Sequence, residues 1–142
     1  MRILIDSTIL VSGLFFQGNE RKLIQEAIDG RFDLVLPESI ITEARSVIEE
    51  KFAGHPGFKT ALESLALLSK IAEIVPESEA VRYFQQAKAS IRDVKDAPHL
   101  AAALASKPDI LATSDSDYYA LAVPAPFLIL TARQILIELG KA

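Results

Sequence analysis

Apolar positions recur along this chain at two spacings, and the alternation between them predicts its elements. Arg2-Ile3-Leu4-Ile5 is a short run rich in β-branched side chains that stops at Asp6, the pattern of a buried strand. Residues 7–16 are apolar around a single glycine and read as a short helix. Asn19, a favourable N-cap, opens a second helix. In it Leu23, Ile24, Ala27 and Ile28 recur at helical spacing up to about Asp29, and Gly30 is the stop. Asp33 to Leu36 is a second strand, ended by Pro37. From Glu38 to about Phe52 the helical period returns, with Ile40, Ile41, Ala44, Val47 and Ile48 on one face.

The second half repeats the alternation. After the loop Gly54-His55-Pro56-Gly57, a helix over Phe58 to about Ser69 turns Ala61, Leu62, Leu65 and Leu68 inward. Ile71 to Val75 reads as a third strand, closed by Pro76, and about Glu79 to Ser90 as one helix. A polar break, Arg92-Asp93-Val94-Lys95, precedes a helix that Asp96 can cap, with Pro98 tolerated in its first turn. Asp109 to Ala112 and Phe127 to Leu130 are the fourth and fifth strands, and Thr131 caps a last helix that ends before Gly140. Strands that alternate with helices imply parallel strands with helices on both faces, a three-layer α/β domain. The 142 residues suit one domain, residues 1–142, with no linker or repeat.

Composition removes several function classes. There are no cysteines, so disulfide, zinc-finger and iron–sulfur frameworks and a cysteine nucleophile are excluded. Neither G-x-G-x-x-G nor G-x-x-x-x-G-K occurs. No run of ~18 apolar residues is present, and Met1 leads directly into the first strand, so the expectation is a cytoplasmic protein without a membrane segment. With 15 basic and 19 acidic residues the net charge is -4, and the cations are scattered rather than gathered into a basic stripe. A nucleic-acid substrate is compatible with that balance only if bound metal neutralises some of the acids.

Most acidic residues, such as Glu20, Glu26, Glu49, Glu50, Glu63 and Glu73, read as solvated helix surface, but four do not. Asp6 follows three apolar residues at the end of the first strand, where a carboxylate is costly without a partner. Asp115 follows the fourth strand, with Asp117 two residues on. Ligands of open parallel sheets bind beyond the carboxyl ends of the strands, where both segments lead. Asp96 alone reads as an N-cap worth ~1 kcal/mol. Glu43 lies only ~40° from Val47 around its helix, at the margin of the apolar face. Two unit charges ~5 Å apart repel by ~3 kcal/mol at an effective dielectric of ~20. A cluster of carboxylates therefore either holds protons at raised pKa or binds a hard cation, Mg²⁺ or Mn²⁺ rather than zinc. The chemistry implied is metal-assisted hydrolysis of a phosphate ester.

Four segments together resemble the PIN domain family, the metal-dependent nuclease fold of VapC-type toxins. Ile3-Leu4-Ile5-Asp6-Ser7-Thr8-Ile9-Leu10-Val11-Ser12 is similar to the family's opening, and Leu36-Pro37-Glu38-Ser39-Ile40-Ile41-Thr42-Glu43 to its glutamate segment. Asp93-Val94-Lys95-Asp96-Ala97-Pro98-His99-Leu100-Ala101-Ala102-Ala103 resembles the segment of the third acid, placed on Asp96. Ile110-Leu111-Ala112-Thr113-Ser114-Asp115-Ser116-Asp117 resembles that of the fourth. The resemblance implies a five-stranded, mainly parallel sheet in the order 3-2-1-4-5 within an α/β/α sandwich. It also implies Mg²⁺- or Mn²⁺-dependent endoribonuclease activity on RNA, a homodimer and an antitoxin partner. Asp6, Glu43, Asp96 and Asp115 would be catalytic and metal-binding, and Asp117 a further metal residue. Ser7, Thr8, Thr113 and Asp93 would orient them, with Thr8 standing where the family commonly has Asn or Ser.

Secondary candidates surround this set. His99 shares a helix face with Asp96 and could touch substrate or metal, whereas His55 reads as solvated. Arg92 and Lys95 could hold a phosphate, Tyr118 and Tyr119 could stack on a base or cover the core, and Phe15 and Phe16 could meet a partner chain. Two other functions compete. One is a PIN-like binding module with weak or no catalysis. The other is a phosphatase with an aspartyl nucleophile, which wants a second Asp where Thr8 stands.

Overall fold

The computed structural model describes residues 1–140. β1 (Arg2–Ile5) leads into α1 (Ser7–Phe15) and α2 (Asn19–Ile28), and β2 (Asp33–Pro37) into α3 (Glu38–Lys51) and α4 (Phe58–Ile71). β3 (Glu73–Val75) is followed by α5 (Glu77–Ala80), a 3-10 turn (Val81–Tyr83) and α6 (Phe84–Ser90). A second 3-10 turn (Val94–Asp96) opens α7 (Ala97–Ser106). After β4 (Ile110–Ala112) come a third 3-10 turn (Ser116–Ala120), β5 (Leu128–Leu130) and α8 (Ala132–Glu138). All four strand pairings are parallel and the order is β3-β2-β1-β4-β5, flanked by helices, as the family resemblance implies.

β1 is the centre of the sheet. Ile3 stands between Leu34 and Ile110, and Leu4 between Val35 and Leu111. Ile3, Leu4 and Ile5 are all fully buried, which is why this strand reads as an unbroken apolar run rather than an alternation. The edge strands β3 and β5 are three residues long and leave Ile74 and Leu128 exposed, a brevity that limits pairing with other chains. No helix among the described residues is long and apolar enough to cross a membrane.

Local chemistry accounts for the boundaries, including those the pattern misplaces. Ile71 belongs to α4 rather than to the third strand: Ala72 N–H still closes on the Leu68 carbonyl, and β3 begins only where Val35 of β2 offers a partner, at Glu73. The helix expected over Glu79 to Ser90 is interrupted by the turn at Val81–Tyr83. Ala80 and Ala87 are buried on either side while Val81 is exposed, and a 3.6-residue period does not distinguish a straight helix from one that restarts. The cap of α2 is Gly18, not Asn19, because its φ of 144° and ψ of -163° suit glycine alone. Thr131 forms the expected cap of α8, as a reciprocal box with Gln134.

Candidate active site

β1 and β4 are neighbours running the same way, so the residues that follow them leave the sheet at one edge. It is also the switch point of the topology, with β2 and β3 on one side of β1 and β4 and β5 on the other. Asp6 is drawn into this edge by its own backbone, whose N–H donates to the Ala112 carbonyl at 3.0 Å. Its carboxylate caps α1 by accepting the Ser7 N–H at 2.9 Å, and its second oxygen accepts the Thr113 hydroxyl at 2.9 Å. Only 3% of Asp6 is exposed. Burial holds its pKa above the ordinary carboxylate value, and the charge of Glu43 adds to the rise. The Thr113 and Ser7 bonds and the charge of His99 oppose it.

Asp115 stands at the head of the 3-10 turn after β4. Its N–H donates to the Thr113 oxygen at 3.1 Å, and its carboxylate accepts the Asp117 N–H at 2.9 Å. Thr113, fully buried, thus ties the fourth-strand acid to the first-strand acid. Asp96 occupies the N-cap position of α7 but makes no capping hydrogen bond, so the helix does not account for its carboxylate. Burial raises Asp96 to about 7, the adjacent Asp115 carboxylate adds to this, and Asp6 and Asp93 contribute further. Asp93, Asp96 and Asp117 each place a carboxylate oxygen within 4.8 Å of the other two. Asp93 also accepts the Lys95 N–H at 3.0 Å, and Asp117 pairs with Arg92 at 2.7 Å.

Glu43 enters from α3 with a partner the spacing did not suggest. Its carboxylate meets Nε2 of His99, whose Nδ1 lies 2.9 Å from the Ser39 hydroxyl. His99 is 6% exposed, so a residue read as a contact for substrate or metal is instead buried between α7 and α3. The His99 hydrogen bond lowers the pKa of Glu43 against the effect of its partial burial. Burial works to lower His99, but Glu43, Asp6 and Asp96 together raise it. Each partner thus favours the charged form of the other. No spacing links positions 43 and 99; only the packing of α3 on α7 does.

Other candidates separate under the same geometry. Thr8 is exposed and lines a groove beside Glu43. Tyr118 is not a stacking platform: it is 1% exposed, and its hydroxyl has no hydrogen-bond partner among the described residues. Burial, followed by the charges of Asp6, Asp96, Asp115 and Glu43, drives its pKa upward. Tyr119 is half exposed and donates its hydroxyl to the Thr113 carbonyl at 3.2 Å. Arg92 is engaged by Asp117, and His55 sets its ring edge against Phe15 and Phe52. Glu26 is not fully solvated either, since its side chain is 14% exposed and paired with Arg31.

The donors gathered here are carboxylate oxygens, the set that suits a hard divalent cation. In the absence of a counter-charge, Asp96 must keep its proton to about pH 7 for the group to coexist. A cation of charge two would replace that proton, so the residues fit such an ion.

A PIN domain family model matches residues 2–117 of the chain. Among solved structures, a chain of VapBC2 from Rickettsia felis, bound to a DNA fragment from its promoter, aligns with a TM-score of 0.66 at 12% identity; the match covers 91% of this chain and 97% of that one. FitAcB from Neisseria gonorrhoeae aligns with a TM-score of 0.61 at 17% identity, over 92% of this chain and 98% of that one. VapC20 of Mycobacterium tuberculosis, described as a Sarcin-Ricin loop cleaving toxin, aligns at 0.56 with 13% identity, over 83% and 93%. At these identities the likeness is one of fold. No curated protein matches the sequence.

Proposed function

The chain belongs to the PIN domain family, and on that premise we propose that it is a divalent-metal-dependent endoribonuclease, the toxin of a toxin–antitoxin pair. The observation that carries this reading is the crowd of acids from distant segments at the β1–β4 edge, which leaves Asp96 protonated to about pH 7. The descriptions of the VapBC2 and FitAcB structures favour an antitoxin partner, and that of VapC20 favours RNA as substrate. In this reading residues 1–142 form one nuclease domain that works as a homodimer in the cytoplasm.

Asp6, Glu43, Asp96 and Asp115 would hold Mg²⁺ or Mn²⁺, with Asp117 as a further ligand and Asp93 beside them. When bound, such an ion polarises a phosphoryl oxygen, lowers the pKa of an attacking water and steadies the leaving oxygen. The chain supplies the orientation. The Ser7 N–H and the Thr113 hydroxyl fix both oxygens of Asp6, and Thr113 also receives the Asp115 N–H, so two acids share one buried anchor. His99, held by Ser39, keeps Glu43 ionised and turned toward α7. Such supporting bonds are worth about 10–100-fold in metal affinity or activity where they have been removed from other sites.

Incubating the protein with single-stranded RNA and Mg²⁺ or Mn²⁺ tests the reading. Cleavage should require the ion and disappear in Asp6→Asn while thermal unfolding stays cooperative. Cleavage that persists in excess chelator, or undiminished in Asp6→Asn, overturns it.

A further inference from the structure

We propose that the groove between α1 and α3 is a nucleotide subsite, which receives the base and phosphate next to the cleaved bond of a single-stranded RNA. This assignment rests on the nuclease reading above. The groove encloses about 290 Å³, close to the lower end of ligand-sized pockets. It begins at Ser7 and Glu43, on the border of the acidic centre, and extends past Thr8 and Ser12 to Phe16 and Lys51. Lys51 lies two turns beyond Glu43 on α3, about 12 Å along the helix axis, so the groove continues from the acids rather than forming a separate pocket.

Its lining carries three chemistries that one nucleotide can use together. Phe16, at the end of α1, is 53% exposed, yet its ring is braced. It meets Phe52 edge-on at 6.2 Å, and Phe52 stacks on Phe15 at 4.0 Å and 15°. An aromatic ring held in place with half its surface in water is a platform on which any base can stack. Lys51, in the last turn of α3, is the cation of the groove, and none of the ion pairs among the described residues takes up its ammonium. On a chain of net charge -4, a free ammonium continuous with the acidic centre marks a path for a phosphate. Thr8 and Ser12 line the stretch between the acids and these two residues and supply hydroxyls suited to a ribose 2′-hydroxyl. A purely apolar peptide segment would bury the ammonium and hydroxyls without partners, which disfavours it as the occupant.

The test is binding of a fluorescent single-stranded RNA, with Ca²⁺ as the divalent ion, over a range of salt. Phe16→Ala should weaken binding at least about fivefold with an unchanged salt slope, while Phe16→Tyr, which keeps the ring, binds as the parent does. Lys51→Ala should reduce the slope of log K against log salt by about 0.7, the value for one phosphate contact on a single strand. Lys70→Ala, at the far end of α4, controls for loss of a lysine in general and should change neither quantity. Phe16→Leu, which retains bulk against Phe52 without a flat face, separates stacking from folding and should bind like Phe16→Ala. RNA binding by Phe16→Ala and Lys51→Ala equal to the parent's overturns the subsite, as does an effect of these changes confined to binding of a protein partner. The nuclease reading fails by a different observation: a parent protein that hydrolyses neither RNA nor bis(4-nitrophenyl) phosphate with Mn²⁺.

Discussion

At the N-terminal ends of β1 and β4, Arg2 lies among acids that it neutralises. Its guanidinium donates to Glu73 and to the carbonyls of Ser106 and Lys107 at 2.9 and 3.0 Å, and its N–H donates to Asp109 at 2.8 Å. Hydrogen bonding to Glu73, the main cause, raises the Arg2 pKa, with Asp109 and Asp33 adding to it. At the C-terminal ends of the same two strands, Asp93, Asp96 and Asp117 bring carboxylate oxygens within 4.8 Å of one another and the charges of Asp115 and Asp6 bear on Asp96, while His99 is held by Glu43 and Arg92 by Asp117. One edge is electrostatically complete and the other is not. The incomplete edge retains a proton where the complete one retains an ion pair, and that deficit is the free energy a divalent ligand can draw on.

The sharpest way to break the contrast is to remove a charge from the incomplete edge. Asp6→Asn keeps an oxygen for Thr113 or Ser7 and relieves a buried charge, so RNA cleavage should fall more than about 100-fold. The melting temperature without metal should stay level or rise. A parallel loss of fold and activity would place Asp6 in the framework instead.

Protons should compete with the ion next most strongly. Asp96 must lose its proton to bind, so Mn²⁺ affinity measured by calorimetry should climb by about tenfold per pH unit below about pH 7 and level off above it. The sign for stability is opposite. The folded pKa of Asp96 lies above its ordinary 3.8, so without metal its contribution is fully present below that value. It is lost as pH rises toward about 7. Denaturant melts without metal should therefore weaken over that interval, and saturating Mn²⁺ should reverse the trend.

Arg2→Ala breaks the complete edge. It strands Glu73 and two carbonyls and should cost about 1–2 kcal/mol in urea denaturation, the lower half of the usual range because the pair is partly exposed. Mn²⁺ affinity should be unchanged. The smallest effect belongs to Tyr118→Phe, which deletes a buried hydroxyl without a partner among the described residues and should raise stability by up to about 1 kcal/mol. A destabilised Tyr118→Phe would mean that the hydroxyl is satisfied in solution.

Several parts of this molecule are legible in its sequence. The unbroken apolar run of β1 and the stop at Asp6 marked both a buried strand and the end of it that faces a ligand. The order of strands needed the family resemblance, because spacing alone does not say which strands pair. The restart of the helix at Val81–Tyr83 was not legible because the helical period is the same on either side of it, and the pairing of His99 with Glu43 was not because it joins residues far apart in sequence.

What the chain determined by itself were the elements and the positions of its chemistry. Hydrophobic period reports which side of a local segment turns inward, and chain order places Asp6 and Asp115 just beyond strand ends. Only the tertiary structure decided how those groups behave: Asp96 as a carboxylate crowded by other acids rather than a cap, His99 as a clamp, and Tyr118 as core. The reason is that the proton affinity of a carboxylate is a sum over every charge, dipole and displaced water around it. That sum exists only once remote segments have packed together.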